Sequence, residues 1–409
     1  DALREIAMPI GGIGAGCISL GGWGQLRDWE IYNRPGKGNV NNFAFFSLYA
    51  KPRGARAVTK VLLGPTRARY DRDGFGYYRE SGQGLPHFTD CSFSAMYPFA
   101  WIDLADATMP LRARLTAWNP FIPLNDHDSS LPCAIFQWTL TNTARQTVDA
   151  VLFMNLTNTI APEQHIARLN SYRDTGSVRG IYCTARGIAA ASPHAGSMAL
   201  ATPHADTHHL VRWLRSGWFD PCTDFWSQAE RGMLDTSVRA QTRTGPHGDT
   251  SSIAMRCTLA PGAATTIPVI ISWLMPNAEF IERGRSVVVK TYQGAQWSNA
   301  WRVADYVAHN FTRLERETRM YADTLAASTL PGPVIDAVAA TSAVLKSPTC
   351  TRMANGDFWA WEGCGNTVGC CPGTCTHVWN YQQMMPYLFP ALERTIRSAD
   401  FTYNLGRSG

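Results

Sequence analysis

One acidic residue stands in an unusual setting near the end of the sequence. Glu362 lies in "FWAWEG", between tryptophans and a glycine. Burying a carboxylate among aromatic rings costs free energy unless the group is paired or has a function. Glycoside hydrolysis uses such a group as nucleophile or as general acid/base, with a second carboxyl group opposite it. The alternative is a structural glutamate that caps a turn, and residue type alone favours that alternative.

Four cysteines follow this glutamate closely and precede a histidine. They are Cys364, Cys370, Cys371 and Cys375, and the histidine is His377. Structural zinc sites usually contain two separate C-x2-4-C pairs, a pattern that this spacing fits poorly. We therefore expect no metal, although a disulfide, buried thiols and a zinc site on the four cysteines stay open. Six further cysteines are dispersed and predicted to be buried thiols: Cys17, Cys91, Cys133, Cys183, Cys222 and Cys257.

Further polar and aromatic residues follow in "CTHVWNYQQ". His377, Trp379 and Asn380 lie 15 to 18 residues after Glu362. Histidine and asparagine suit hydrogen bonds to sugar hydroxyls, and tryptophan offers a flat face for a sugar ring. Trp361 is a further candidate, as an aromatic wall of the same pocket. The alternative for this group is a helix N-terminus with a packed tryptophan.

Composition excludes several classes of function. The 409 residues are 45% hydrophobic and 17% charged, with a net charge of +5. The basic residues are scattered, which argues against nucleic acid as a partner. The sequence lacks a run of about 18 apolar residues, so no transmembrane segment is expected. "GGIGAG" precedes a strand and turn pattern instead of a helix, so we expect no dinucleotide or other cofactor. The 14 tryptophans raise a carbohydrate hypothesis without deciding it.

The elements that must position these residues change character along the chain. From about residue 40 to 300, β-rich runs such as "CAIFQWTLTN" alternate with turn signals, which predicts a large antiparallel sandwich. Helical spacing begins at Trp301, and "VIDAVAATSAVLKS" and "QQMMPYLFPALERTIRS" predict two more helices. We expect a β-sandwich domain at 1–300, a connecting helix at 301–330 and the start of a helical domain at 331–409. That helical domain is expected to continue in the native protein.

The sequence resembles glycoside hydrolase family 116, which includes non-lysosomal glucosylceramidases and bacterial and archaeal β-glucosidases. The resemblance covers essentially the whole chain. It rests on "PIGGIGAGCISLGGWGQLRDWEIYNRPGKG", "WNPFIPLNDHDSSLPCAIFQWTLTN", "VIISWLMPN" and "LPGPVIDAVAATSAVLKSPTCTRMANGDFWAWEG". The fold that it implies is an antiparallel β-sandwich followed by the beginning of an (α/α)6 barrel, incomplete in this chain.

The resemblance also implies a mechanism. The family retains anomeric configuration through a covalent glycosyl-enzyme intermediate, and its nucleophile matches Glu362. Its acid/base Asp is expected beyond the end of this chain. His377 stands where better-known members carry a sugar-binding Asp, which leaves the sugar preference open.

The implied partner is a carbohydrate or glycolipid, namely glucosylceramide or another β-linked glucoside. Alternatives are an inverting glycosidase or glycoside phosphorylase on the same architecture, and a non-catalytic carbohydrate-binding protein. The compartment and the oligomeric state stay open.

Overall fold

The structure is a computed structural model in which strands predominate over helices. It describes residues 3, 5–65, 82, 84–162, 164–214, 220–236, 238–245, 248–282, 284–360, 365–368 and 383–406.

The strands of the described residues are, in chain order, β1 (Ala7–Gly12), β2 (Gly16–Gly21), β3 (Leu26–Glu30), β4 (Phe46–Pro52), β5 (Val58–Val61), β6 (Asp90–Met96), β7 (Phe99–Ala105), β8 (Leu111–Trp118), β9 (Cys133–Asn142), β10 (Val148–Thr157), β11 (Ile166–Asp174), β12 (Arg179–Arg186), β13 (Ser197–Thr202), β14 (Thr207–Leu210), β15 (Ala240–Gly245), β16 (Thr250–Leu259), β17 (Ala264–Leu274), β18 (Asn277–Glu282), β19 (Arg285–Lys290), β20 (Cys350–Arg352) and β21 (Phe358–Ala360). The helices are α1 (Asp126–Ser129), α2 (Pro221–Ala229), α3 (Tyr292–Gln296), α4 (Ala300–His309), α5 (Phe311–Ala326), α6 (Gly332–Ser342), α7 (Met385–Leu388) and α8 (Pro390–Ala399).

Two antiparallel sheets pack face to face, as the β-rich runs predict. The five-stranded sheet has the order β14-β16-β10-β4-β5, and the nine-stranded sheet has the order β15-β11-β12-β13-β17-β9-β8-β7-β6. Between them, the ring of Phe46 lies 5.6 Å from the rings of Phe136 and Trp138. The glycine-rich N-terminus forms a separate sheet, β1-β2-β3, so "GGIGAG" is a strand turn as expected.

Strand β9 is apolar at successive positions because both of its faces are buried. Phe136 and Trp138 face the core between the two sheets. Cys133 and Ile135 point to the other face, where they join a cluster that includes Trp301 of α4. Because the strand is covered on both faces, alternation of polar and apolar residues is lost there. Helices α4 and α5 therefore pack on the nine-stranded sheet.

The prediction of a single connecting helix at 301–330 is wrong. The segment forms α4 and α5, which meet at Asn310 with φ −103° and ψ 8°. The Asn310 amide donates a hydrogen bond to the Tyr306 carbonyl at 2.9 Å, which competes with continued helix. The segment around Phe389 is likewise two helices, α7 and α8, because Pro390 cannot donate an intrahelical hydrogen bond and begins a new helix. Within the described ranges, none of the helices has the length and apolarity needed to cross a membrane.

Six of the described cysteines are free thiols: Cys17, Cys91, Cys133, Cys183, Cys257 and Cys350. Cys17, Cys133, Cys183, Cys222 and Cys350 are buried, whereas Cys91 and Cys257 are half-buried. Burial raises the pKa of the Cys17 and Cys133 thiols to about 12, so both are neutral at pH 7. The prediction that the dispersed cysteines are buried is confirmed for Cys17, Cys133, Cys183 and Cys222, whereas Cys91 and Cys257 are only half-buried.

Candidate active site

The residues predicted to perform chemistry lie outside the described residues. These are Trp361, Glu362, His377, Trp379 and Asn380, together with the four clustered cysteines Cys364, Cys370, Cys371 and Cys375. Their roles stay predictions. The structure does describe what flanks them: strand β21, residues 365–368 and the chain from Gln383 onward.

A short antiparallel hairpin leads to the predicted nucleophile. Strand β20 pairs with β21 in the register Cys350↔Ala360, Thr351↔Trp359 and Arg352↔Phe358. Its turn is closed by a hydrogen bond from the Met353 amide to the Asp357 carbonyl at 2.8 Å. Strand β21 ends at Ala360, two residues before Glu362 in the sequence.

An ion pair and a ring contact hold the hairpin from the side of the sandwich. The Arg352 guanidinium contacts the Asp126 carboxylate at 2.5 Å and lies 3.6 Å from the centre of the Tyr292 ring. Only 9% of the Arg352 side chain is exposed. A guanidinium so well covered needs its anion, since a buried charge without a partner is costly. The pair therefore connects α1, α3 and β20.

The helix that carries Asp126 is itself fixed by polar contacts. Asp128 accepts hydrogen bonds from the Tyr306 hydroxyl at 2.7 Å and from Arg313 at 2.8 Å. Burial would raise the pKa of Asp128, but the hydrogen bonds from Arg313 and Tyr306 outweigh it and lower the pKa. His127 Nδ1 lies 3.2 Å from the Tyr292 hydroxyl. Asp128 is thus a structural anion that ties α1 to α4 and α5.

The glycine-rich turn between β1 and β2 supports the hairpin from another side. The Gly14 amide donates to the Leu345 carbonyl at 3.0 Å. Gly14 has φ +62°, and a Cβ there would lie 2.9 Å from the Arg352 backbone nitrogen. Positive φ and this close approach both require glycine. Ile13 joins the buried cluster that contains Phe358 and Phe389, so the turn packs directly on the hairpin.

A loop after β3 contacts the segment that follows the predicted nucleophile. The Lys37 amide donates to the Asn366 carbonyl at 2.8 Å. Buried Glu30 shapes this loop by accepting from the Gly36 amide at 3.0 Å and from Lys37 Nζ at 2.7 Å. Burial would lower the pKa of Lys37, but the hydrogen bond to Glu30 and its charge raise it. The N-terminal segment therefore contacts residues 365–368, which follow Glu362 in the sequence.

A buried lysine lies where the sandwich meets the hairpin. Lys346 is 1% exposed, and its Nζ donates a long hydrogen bond of 3.5 Å to the Asn119 carbonyl. The rings of Tyr97 and Phe121 lie 5.2 and 5.6 Å from this nitrogen. Burial lowers the pKa of Lys346 to about 7. Neighbouring carbonyl and aromatic groups thus replace only part of the hydration that the ammonium loses.

Sequence reasoning missed these supporting residues. Asp126 lies in "NDHDSS" and Glu30 in "DWEIYNRPGKG", where charged residues stand beside apolar runs. A charged residue beside an apolar run indicates that the charge is buried and paired, and this was the signal in the sequence for Asp126 and Glu30. Their partners Arg352 and Lys37 are ordinary charged residues in the sequence, and only the fold brings each pair together.

Comparison with known proteins identifies the class. Residues 7–314 match the family model described as beta-glucosidase 2, glycosyl-hydrolase family 116 N-term. The match covers the two sheets, α4 and the first residues of α5. The chain is a member of glycoside hydrolase family 116.

Solved structures with lower similarity include three carbohydrate-active proteins. One is described as a kojibiose phosphorylase from the human microbiome, with 9% identity, a TM-score of 0.32 and coverage of 64% of this chain and 28% of that one. A polysaccharide lyase has 11% identity, a TM-score of 0.28 and coverage of 66% and 32%. The family GH92 alpha-mannosidase from Bacteroides thetaiotaomicron has 10% identity, a TM-score of 0.34 and coverage of 88% and 42%. The chain thus spans less than half the length of each.

Proposed function

We propose that this protein hydrolyses β-linked glucosides with retention of configuration at the anomeric carbon. The observation that carries the proposal is membership of family 116, whose model matches residues 7–314. The motif "FWAWEG" adds a carboxylate, Glu362, in aromatic surroundings. The proposed substrates are glucosylceramide-like lipids or other β-glucosides.

In the proposed reaction, Glu362 is the nucleophile. Its carboxylate oxygen attacks the anomeric carbon, and the bond to the leaving oxygen breaks with its electron pair. A second carboxyl group donates a proton to that oxygen. Water then attacks the glycosyl ester, the second carboxylate removes the water's proton, and Glu362 is released as a carboxylate. Retention requires the two carboxyl groups about 5–5.5 Å apart.

The described surroundings of the motif support this role. Strand β21 ends two residues before Glu362, and the hairpin is held by Arg352, by Asp126 and by the turn at Gly14. A nucleophile is effective only when its position is fixed to about 0.5 Å, which demands firm support of this kind.

Pocket residues and domain limits complete the proposal. His377 and Asn380 are proposed to bind sugar hydroxyls, and Trp379 and Trp361 to contact the sugar ring. Helices α6, α7 and α8 are proposed to belong to an (α/α)6 barrel at 331–409, after a sandwich domain at 1–300 and a connecting segment at 301–330.

The test is Glu362→Gln in the complete protein, assayed with an aryl β-glucoside. Loss of a catalytic nucleophile typically lowers kcat by about 1,000-fold or more. The matched control is Glu279→Gln on β18, whose exposed carboxylate accepts a hydrogen bond from the Ser286 hydroxyl. The control is expected to keep kcat within about twofold, because a substitution at an exposed position changes little. Near wild-type turnover by Glu362→Gln would show that the assignment is wrong.

Stereochemistry gives an independent test of the reaction class. Proton NMR of the first-formed sugar is expected to show the β-anomer before mutarotation. An α-anomer would identify an inverting glycosidase. Turnover that depends on inorganic phosphate and releases a sugar phosphate would identify a phosphorylase. Absence of turnover of any β-glucoside, with saturable sugar binding, would indicate a non-catalytic carbohydrate-binding protein.

A further inference from the structure

A surface groove near one edge of the nine-stranded sheet, at β11, carries an excess of positive charge. It lies where β11 meets the beginning of α4, and it encloses about 520 Å³. Its lining includes Tyr172, Arg173, Arg239, Trp301 and Arg302, which together we call the arginine groove. We propose that the arginine groove binds a phosphate or sulfate group of a ligand.

Two of these arginines are held by aromatic rings rather than by carboxylates. The Arg173 guanidinium lies 3.6 Å from the centre of the Tyr182 ring and 5.9 Å from that of Trp301. The Arg239 guanidinium lies 5.8 Å from the centre of the Tyr172 ring. Among the described residues, neither arginine has an acidic group within ion-pair distance. Stacking orients a guanidinium while its N–H groups stay available at the edge.

The acidic residues near the groove do not balance its charge. Asp174 accepts from the Gly176 amide at 2.9 Å and from Arg179 at 3.2 Å, and these contacts lower its pKa. Asp305 approaches Arg302 only at 4.0 Å. The lining of the groove contains three arginines and one aspartate, an excess of two positive charges. The excess matches the charge of a phosphate or sulfate group.

The chemistry of the ligand follows from these donors. Guanidinium groups bind phosphate and sulfate oxygens through paired, charge-assisted hydrogen bonds. Tyr172 and Arg239 are also joined through the backbone, since the Tyr172 amide donates to the Arg239 carbonyl at 2.8 Å. The two arginines therefore belong to adjoining segments of one groove. A neutral β-glucoside has no group of this charge, so the inference is independent of the proposed hydrolysis.

Calorimetric titration with inorganic phosphate at low ionic strength tests the groove. The wild-type chain is expected to bind phosphate saturably, and the double variant Arg173→Gln/Arg239→Gln is expected to bind at least about tenfold more weakly. The matched control is Arg112→Gln/Arg145→Gln, which removes two exposed arginines elsewhere on the sandwich. The control is expected to stay within about twofold of wild type, because neither of its arginines lines the groove.

Two results would overturn the proposal. One is the lack of saturable phosphate binding by the wild-type chain, and the other is unchanged affinity in the double variant. Thermal melting of each variant checks folding, and the single variant Arg239→Gln replaces the double variant if that melts early, because Arg239 is exposed. The single variant is then expected to weaken phosphate binding by at least about threefold.

A vesicle-binding experiment distinguishes the two possible sources of the phosphate or sulfate group, a lipid headgroup and a soluble ester. Sedimentation is measured with vesicles of phosphatidylcholine alone and with added phosphatidic acid. Arginine-dependent binding only to the acidic vesicles would assign a lipid headgroup. Phosphate binding without vesicle binding would assign a soluble phosphate or sulfate ester. Both results support the arginine groove, and vesicle binding that persists in the double variant counts against it.

Discussion

The buried amine of Lys346 predicts a specific pH dependence of stability. In the folded chain the pKa of this amine falls from 10.5 to about 7. A pKa difference of this size lowers the unfolding free energy by about 5 kcal/mol when the amine is charged in both the folded and the unfolded chain, relative to a neutral amine in both. Between these two pH values, the unfolded chain binds more protons than the folded chain. Stability therefore rises with pH in that window.

Replacing the amine removes this pH dependence. Lys346→Met keeps a long side chain and removes the charge. From about pH 6 to pH 8.5, the wild-type unfolding free energy is expected to gain about 2 kcal/mol from this residue alone. The variant lacks that gain. The unfolding free energy of the variant minus that of wild type is therefore greatest at pH 6. At pH 8.5 this difference is smaller by about 2 kcal/mol.

The assay is urea unfolding of both proteins at three pH values across this range. Other titrating groups are common to both proteins, so they cancel in the difference between them. The control is Lys51→Met, which replaces an exposed lysine and is expected to leave the pH dependence unchanged. Parallel pH profiles for wild type and Lys346→Met would refute the reasoning, since they would show that the buried amine keeps its ordinary proton affinity.

Three further substitutions test the support of the hairpin. Gly14→Ala is expected to lower the unfolding free energy by about 1–2 kcal/mol, and more than Gly54→Ala, whose φ is also positive but whose Cβ has open space. Asp128→Asn is expected to cost about 1–3 kcal/mol at neutral pH. That cost shrinks in acid, because the wild-type carboxylate loses its contribution as pH falls through its lowered folded-state pKa. Asp126→Ala is expected to cost about 2 kcal/mol, of which adding Arg352→Leu recovers part. Urea unfolding measures all three costs. Equal costs for Gly14→Ala and Gly54→Ala would contradict the argument from close packing, and a pH-independent cost for Asp128→Asn would contradict the argument from its lowered pKa. The lack of any recovery in Asp126→Ala/Arg352→Leu would contradict the argument from the buried ion pair.

Much of the fold follows from local patterns. The sandwich was predictable because runs such as "CAIFQWTLTN" combine β-branched and aromatic residues with turn signals at their ends. The dispersed cysteines were predictable as thiols because they lie inside such runs. The break at Asn310 was missed because the apolar spacing continues through it, while the break depends on a side-chain hydrogen bond to the backbone. The spacing of apolar residues carries no information about that hydrogen bond.

The support of the candidate site was much less predictable. The sequence marks Glu362 through its aromatic neighbours, and that role stays a prediction because the residue lies outside the described part of the chain. By contrast, nothing local pairs Asp126 with Arg352 or Glu30 with Lys37. These charges come together only when the hairpin and the loop after β3 pack against the sandwich.

The sequence by itself determined the family, the antiparallel sandwich and the motif that contains the proposed nucleophile. These depend on residue types and short-range spacing, which the chain carries locally. Only the tertiary structure decided that Arg352 is buried against Tyr292, that Lys346 loses its hydration and that three arginines share one groove. Each of these depends on the distance between groups remote in sequence and on the water that packing removes, and both quantities are set only when the sheets and helices close on one another.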